Sequence, residues 1–253
     1  MLLHYKEIGE GKPLIILHGL FGTSDNWQTH AKKLAEYYHV ILVDQRNHGH
    51  SPWSDDFTYN YLADDLERLV NHLNINQFTL IGHSMGGKTA MYYSQKYPNR
   101  LEKMVIVDIG IKRYPMHHNE IIKGIQSIDL TKISSRSEAE IAMLPFVDSY
   151  GVRQFILKNL YWIEKGKLSW RMNVNVLERE MEEILAPIPK LEVWTPTLFI
   201  RGTLSNYILD EDWSEIEELF PDATLQTIEN AGHWVHSEQP EEFVNGVLSF
   251  CLR

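Results

Sequence analysis

The sequence predicts an α/β fold, a mostly parallel central sheet flanked by helices, with one helical insertion at 111–193. Three observations predict it. Short continuous apolar runs alternate with longer stretches of helical spacing, first from Leu14 to Asp108 and again from Thr197 onward. One of those runs passes through Gly82-His83-Ser84-Met85-Gly86 directly into a helix-favouring stretch. Between the two alternating blocks the pattern stops, and the chain becomes rich in Met, Tyr, Trp and charge.

The elements follow in order. Leu2 to Ile8 alternates loosely and ends at Gly9-Glu10-Gly11, a hairpin-like turn before Pro13. Leu14-Ile15-Ile16-Leu17 is the mark of a strand buried on both faces. It runs into His18-Gly19-Leu20-Phe21-Gly22. Thr23, Ser24, Asp25 and Asn26 offer N-caps, and 27–38 reads as a helix. Val40-Ile41-Leu42-Val43 is the next buried strand, followed by the polar loop Asp44-Gln45-Arg46-Asn47-His48-Gly49. Residues 59–73 have helical spacing, with Leu62, Leu66, Leu69, Val70 and Leu73 on one face. Phe78-Thr79-Leu80-Ile81 is the strand before the Gly-x-Ser-x-Gly turn, and the helix after it stops at Pro98. Met104-Val105-Ile106-Val107 is a further strand, ending at Asp108. Strands that alternate with helices lie parallel, and ligands then bind at their carboxyl ends.

Within 111–193, helices are expected at 119–127, 137–144, 152–160 and 175–185, with Lys165-Gly166-Lys167 as a turn between two short extended pieces. Pro187 and Pro189 close the stretch, which reads as a lid inside a single domain spanning 1–253. Thr197-Leu198-Phe199-Ile200 is then a strand, 210–220 a helix, 224–228 the last strand, and 240–252 the closing helix. Glu229-Asn230-Ala231-Gly232-His233-Trp234 lies between the last two.

Composition narrows the function classes. With 253 residues the chain can bury one sizeable core. A formal net charge of −10 argues against nucleic acid or an anionic membrane surface as a partner. No apolar run approaches the roughly 18 residues of a membrane span. Met1-Leu2-Leu3-His4-Tyr5-Lys6 has no signal-peptide pattern, so a cytoplasmic location is the default expectation. The single cysteine, Cys251, sits in an apolar run and reads as a buried thiol.

A serine on a strand–turn–helix elbow has its hydroxyl exposed above the sheet, so Ser84 is the candidate nucleophile. Gly82 and Gly86 flank it because side chains there would meet the close-packed strand and helix. The helix N-terminus behind it favours developing negative charge.

His18-Gly19 after a strand, Gly-His-Ser-Met-Gly-Gly at 82–87 and Ala-Gly-His-Trp at 231–234 together resemble the α/β-hydrolase superfamily over essentially the whole chain. More narrowly, His18-Gly19-Leu20-Phe21-Gly22, Asp44-Gln45-Arg46-Asn47-His48-Gly49 and Gly-His-Ser-Met-Gly-Gly-Lys resemble the small bacterial esterases of the YbfF type. Those are similar to eukaryotic abhydrolase-domain proteins. The resemblance implies hydrolysis of a small-molecule ester or thioester, with no cofactor and no metal. It leaves the natural substrate and the oligomeric state open.

Against that frame the site residues take roles. Serine is a poor nucleophile at its own pKa, and His233, on the loop after the last strand, is the candidate base. His83 reads as a packed neighbour, and His236, three residues beyond His233, is expected to open the final helical turn and to hydrogen-bond locally. The oxyanion donors expected are the backbone N–H groups of Leu20 and Met85. His18 is expected to shape the Leu20 loop. The triad acid usually stands a few residues beyond a glycine like Gly202, but here Ser205 fills that place. Asp108, delivered by an apolar strand to the same edge, is therefore the predicted acid, with Ser205 as auxiliary. Asp210 is the alternative acid, and it reads better as a cap of the following helix.

Asp44, Arg46 and His48 lack the further ligands of a metal set at any recognisable spacing and read as a hydrogen-bonded scaffold. Tyr114, Met116, Met143, Phe146, Phe155, Tyr161, Trp162, Trp170 and Met172 supply apolar groups in the insertion, some of which should line an acyl pocket. His117-His118 reads as solvated surface. The runner-up is a carbon–carbon bond hydrolase or a menaquinone-pathway-type lyase, with Arg113, Arg153 and Arg171 available to hold substrate carboxylates. A slow-turnover ligand receptor is the reading from a different class.

Overall fold

A computed structural model of the chain describes residues 1–116 and 118–253. The strands in chain order are β1 (Tyr5–Ile8), β2 (Lys12–Leu17), β3 (Tyr38–Val43), β4 (Phe78–His83), β5 (Leu101–Val107), β6 (Leu160–Glu164), β7 (Lys167–Trp170), β8 (Thr197–Gly202) and β9 (Ala223–Ile228). Among the described residues, seven form one sheet in the order β1-β3-β2-β4-β5-β8-β9. Only β1, at the edge, pairs antiparallel. The helices are α1 (Gln28–Leu34), α2 (Tyr59–His72), α3 (Met85–Lys96), α4 (Asn119–Gln126), α5 (Arg136–Met143), α6 (Tyr150–Leu157), α7 (Val174–Arg179), α8 (Met181–Leu185), α9 (Trp213–Leu219), α10 (Val235–Glu238) and α11 (Pro240–Cys251).

The continuous apolar runs are explained by what lies on each side of the sheet. On β2, Ile15 and Leu17 join one apolar cluster with α2 and α3, while Leu14 and Ile16 join another with α1, α10 and α11. Alternate side chains point to opposite faces, so both sets must be apolar. Each such side chain taken out of water stabilises the fold by roughly 1.5–3 kcal/mol.

The expected α/β fold, a mostly parallel sheet flanked by helices with a helical insertion between β5 and β8, is present. The α4–α8 segment and the β6–β7 hairpin make up the insertion, and Lys165-Gly166 is the hairpin turn. Its two connections pair with each other, Tyr114 N–H with Leu185 O at 3.0 Å and Ile188 N–H with Ile111 O at 2.9 Å.

Local differences from the sequence pattern have physical causes. The helix expected at 27–38 ends at Leu34, because Tyr38 is already paired in β3 opposite Lys12. The helix expected at 175–185 breaks at Glu180 into α7 and α8, which lets Val176, Leu177, Met181 and Ile184 all reach the core. Asp210 does not cap a helix. Its exposed carboxylate pairs with Arg201, and Asp212 is the residue that accepts the Leu209 N–H, at 2.8 Å.

Candidate active site

Ser84 follows the last residue of β4 and is the N-cap of α3. Its backbone is held at φ 52°, ψ −118°, a region that a residue with a side chain rarely adopts. Two facts impose it. The Ser84 N–H still bonds Val107 O across the sheet at 3.0 Å, while its own carbonyl already accepts from Gly87 and Lys88 in the first helical turn. The flanking glycines make the turn possible. A Cβ at Gly82 would stand 2.3 Å from Gly86 O, and one at Gly86 would stand 2.5 Å from Leu17 O.

His233, Asp108 and Ser205 meet at the carboxyl ends of β5, β8 and β9. His233 Nδ1 lies 2.8 Å from Asp108 Oδ2. A carboxylate accepts, so Nδ1 carries the proton and Nε2 is left as the basic nitrogen. The Ser205 hydroxyl donates to the same oxygen, and the Gly202 N–H approaches the other at 3.4 Å. Asp108 is fully buried, at φ 49°. Burial pushes its carboxyl up to about 6, against the Ser205 hydroxyl, the His83 imidazole and the Gly202 N–H, which pull it down. Tyr207 stacks flat on the His233 ring, with centroids 3.9 Å apart and planes at 16°.

Leu20 and Met85 stand on either side of Ser84. Among the described residues, neither the Leu20 N–H nor the Met85 N–H donates to a protein acceptor. The Leu20 loop is held by two neutral imidazoles. His18 Nδ1–H donates to Gly19 O at 2.8 Å while its Nε2 accepts the Gln45 N–H at 3.0 Å. His48 Nδ1–H donates to Arg46 O at 2.9 Å while its Nε2 accepts the Phe21 N–H at 3.2 Å. Burial lowers both, His48 to about 3, which keeps each neutral, and their partners set the tautomer. From the insertion, Asn159 Nδ2 donates to Phe21 O at 2.8 Å. Phe21 itself sits at φ 59°.

The Asp44–Arg46–His48 set is committed to the protein. Asp44 accepts the Ser24 and His50 N–H groups at 2.7 and 2.9 Å. Arg46 Nε forms a buried ion pair with Asp65 at 2.7 Å. Among the described residues, no group of three or more His, Cys, Asp or Glu side chains is placed to hold a metal ion.

Ser84 lines two adjoining spaces. One is lined by Gly19, Phe21, Trp27, Phe155, His233 and Trp234, the other by Met85, Lys88, Ile109, Tyr114, Ile184 and Tyr207, and Leu20 and His118 border both. Of the insertion side chains singled out in the sequence, Tyr114 and Phe155 reach these spaces. Met143 and Met172 are core, and Met116 and Trp162 face solvent. His118 is not solvated surface, since it lines the cleft beside Ser84. His117 lies outside the described residues. Lys88 is buried beneath the second space, donating to Lys112 O at 3.3 Å and to Ala186 O. Burial, with help from Arg113 and against Glu183, pushes its ammonium down to about 7.

Sequence reasoning missed Tyr207, His118 and the bonding role of His83. Tyr207 lies in the very loop inspected for an acid, two residues after Ser205, but nothing local announces that its ring covers His233.

Comparison with known proteins gives a consistent picture. The alpha/beta hydrolase fold family matches residues 12–130. The chain is 37% identical to the sn-1-specific diacylglycerol lipase ABHD11 of Danio rerio, over 96% of this chain and 79% of that protein. It is 35% identical to the esterase YbfF of Escherichia coli (strain K12), over 94% of this chain and 92% of that one. Among solved structures, a marine microorganism esterase superposes with a TM-score of 0.95 at 40% identity, covering 98% of this chain and 99% of that one.

Proposed function

The chain belongs to the α/β-hydrolase family and is similar to its YbfF-type esterases, and from that premise we propose a serine-dependent acyl-enzyme mechanism for it. It is a hydrolase of carboxylic esters. Ser84 is the nucleophile, His233 the general base, Asp108 the acid that orients the base, and Leu20 and Met85 the oxyanion donors. The observation that carries the reading is the 2.8 Å contact between Asp108 Oδ2 and His233 Nδ1, with His233 and the strained Ser84 lining one cleft.

In the first half-reaction Ser84 Oγ attacks the ester carbonyl carbon as its proton passes to His233 Nε2. The carbonyl oxygen becomes an oxyanion facing the Leu20 and Met85 N–H groups and the N-terminus of α3. Collapse breaks the bond to the alkoxy oxygen, which leaves with the proton from His233. Water, deprotonated by the same nitrogen, then cleaves the acyl-serine and returns the hydroxyl. Asp108 stays ionised and stabilises the imidazolium at each step. A general acid must stand beside the leaving group. The space walled by Trp234 and Phe155 therefore takes the alcohol or thiol, and the space over Lys88 takes the acyl chain. The insertion acts as a lid over both. Short to medium acyl esters are the proposed substrates; the second space, about 20 Å³ as it stands, takes the short end of that range, and thioesters such as acyl-CoA fall within the same chemistry.

A carboxylate-binding carbon–carbon hydrolase gains nothing from the arginines. Arg153 is spent on Val147 O, Asp148 O and Glu140, Arg171 lies over Tyr161 and bonds His50, and Arg113 is exposed.

A panel of p-nitrophenyl esters and acyl-CoAs of increasing chain length tests the reading, together with a fluorophosphonate label located by mass spectrometry. Ester turnover with the label on Ser84 is expected. Turnover without modification of Ser84 would move the nucleophile elsewhere.

A further inference from the structure

We propose that His83 is a positioning residue, whose imidazole sets the spacing between Ser84 and His233 through a hydrogen bond to the main chain of the base. The proposal rests on the reading of those two residues as nucleophile and base. His83 is the last residue of β4, so one peptide bond joins it to Ser84. Its Nε2 lies 2.9 Å from the carbonyl oxygen of His233, a residue 150 positions away. A carbonyl only accepts, so Nε2 carries the proton and Nδ1 the lone pair. The ring is 4% exposed, and its centroid stands 4.7 Å from that of His233.

The opposite edge of the ring meets the loop of Leu20. A Cβ at Gly19 would stand 2.8 Å from His83 Nδ1 and 3.2 Å from Ser84 Cβ. One residue is thus joined by its main chain to the nucleophile, while its imidazole is hydrogen-bonded to the main chain of the base and packed against the oxyanion loop. His236 closes the remaining side edge-on at 4.7 Å.

Asp108 does not do this work. Its bond to Nδ1 fixes the rotation of the His233 ring, and Tyr207 fixes its tilt. Neither fixes where the backbone of residue 233 stands relative to the elbow. A bond that spans those two backbones comes from His83. The reacting atoms need near-attack geometry, and a displacement of about 1 Å can cost about 100-fold. Burial, reinforced by His233, pushes the His83 imidazole down to about 3, so the donor form persists through the working pH range.

Packing alone would ask only for volume, which separates the alternatives. His83→Leu keeps volume and loses the donor, whereas His83→Gln keeps an N–H at the reach of Nε2. In ester turnover, His83→Leu is expected to lower kcat about 100-fold with KM within about twofold, and His83→Gln to recover most of the loss. Thermal melting of both variants checks the fold. Wild-type protein gives an independent measurement. Nitrogen-15 NMR should find His83 protonated on Nε2 and not titrating between about pH 5 and 9. A folded Leu variant with near-normal kcat, or a His83 that is protonated on Nδ1 or titrates in that range, overturns the proposal. Ser84→Ala is measured alongside: if it retains turnover, the assignment of the nucleophile falls, whereas an inactive Ser84→Ala beside an active His83→Leu removes only the role of His83.

Discussion

Asp108 and His233 stand 125 residues apart in sequence, yet Oδ2 of the one and Nδ1 of the other meet at 2.8 Å. The carboxylate comes from the end of β5, next to the strand that bears Ser84, and not from the loop after β8. Asp108→Asn is expected to lower kcat by roughly 10³–10⁴-fold, because the amide permits the wrong imidazole tautomer. Asp210→Asn removes only an exposed pair with Arg201, worth about 0–1 kcal/mol, and should leave turnover nearly unchanged. The reverse ranking in one esterase assay would assign the acid to Asp210.

The same substitution should stabilise the protein. Burial raises the folded-state pKa of Asp108 from 3.8 to about 6. For a group raised on folding, the stabilising contribution of the protonated form is complete below the unfolded value and lost as pH rises through the folded one. Above pH 6, ionised Asp108 therefore costs up to about 3 kcal/mol, the shift taken at 1.36 kcal/mol per unit. Asp108→Asn should melt higher than wild type at pH 8, with the advantage vanishing near pH 4. Equal melting temperatures at both pH values would refute this.

Ser205→Ala removes a donor that pulls the Asp108 carboxyl down. The acid limb of the pH–rate profile should move to higher pH, and kcat at pH 8 should fall by no more than about tenfold. Rates across pH 5 to 9 measure both. An unmoved limb would make Ser205 a bystander.

Ser84→Ala should lose at least about 10³-fold in turnover, leaving what binding and the oxyanion donors supply. The half-buried hydroxyl adds little to packing, so circular dichroism and melting should match wild type. Substantial residual turnover would exclude the acyl-enzyme route. Excess EDTA should not change the wild-type rate.

Local chemistry made part of the proposed site legible in the sequence. Ser84 announces itself because a strand, two glycines and a helix are contiguous, and His233 because it follows the last strand. Asp108 required elimination, with Ser205 standing where an acid usually does. Tyr207 and His83 could not be read, because a stacked ring and a bond across 150 positions exist only once the sheet has formed. The same holds for His118, which looks like surface beside His117 and lines the cleft. In the fold, the strands were plain from their apolar runs. The end of α1 and the break at Glu180 were not, because strand pairing and core packing overrode local helical preference there.

Asn159 ties the insertion to Phe21, next to Leu20, a proposed oxyanion donor. Damage to the insertion is therefore not silent. A protease nick near the β6–β7 hairpin is expected to leave Ser84, His233 and Asp108 chemically intact but to weaken one of the anchors of the loop that carries left-handed Phe21, leaving it to the bonds from His18 and His48. Such a chain is expected to lose turnover rather than selectivity, which esterase rates across an ester panel after limited proteolysis would measure.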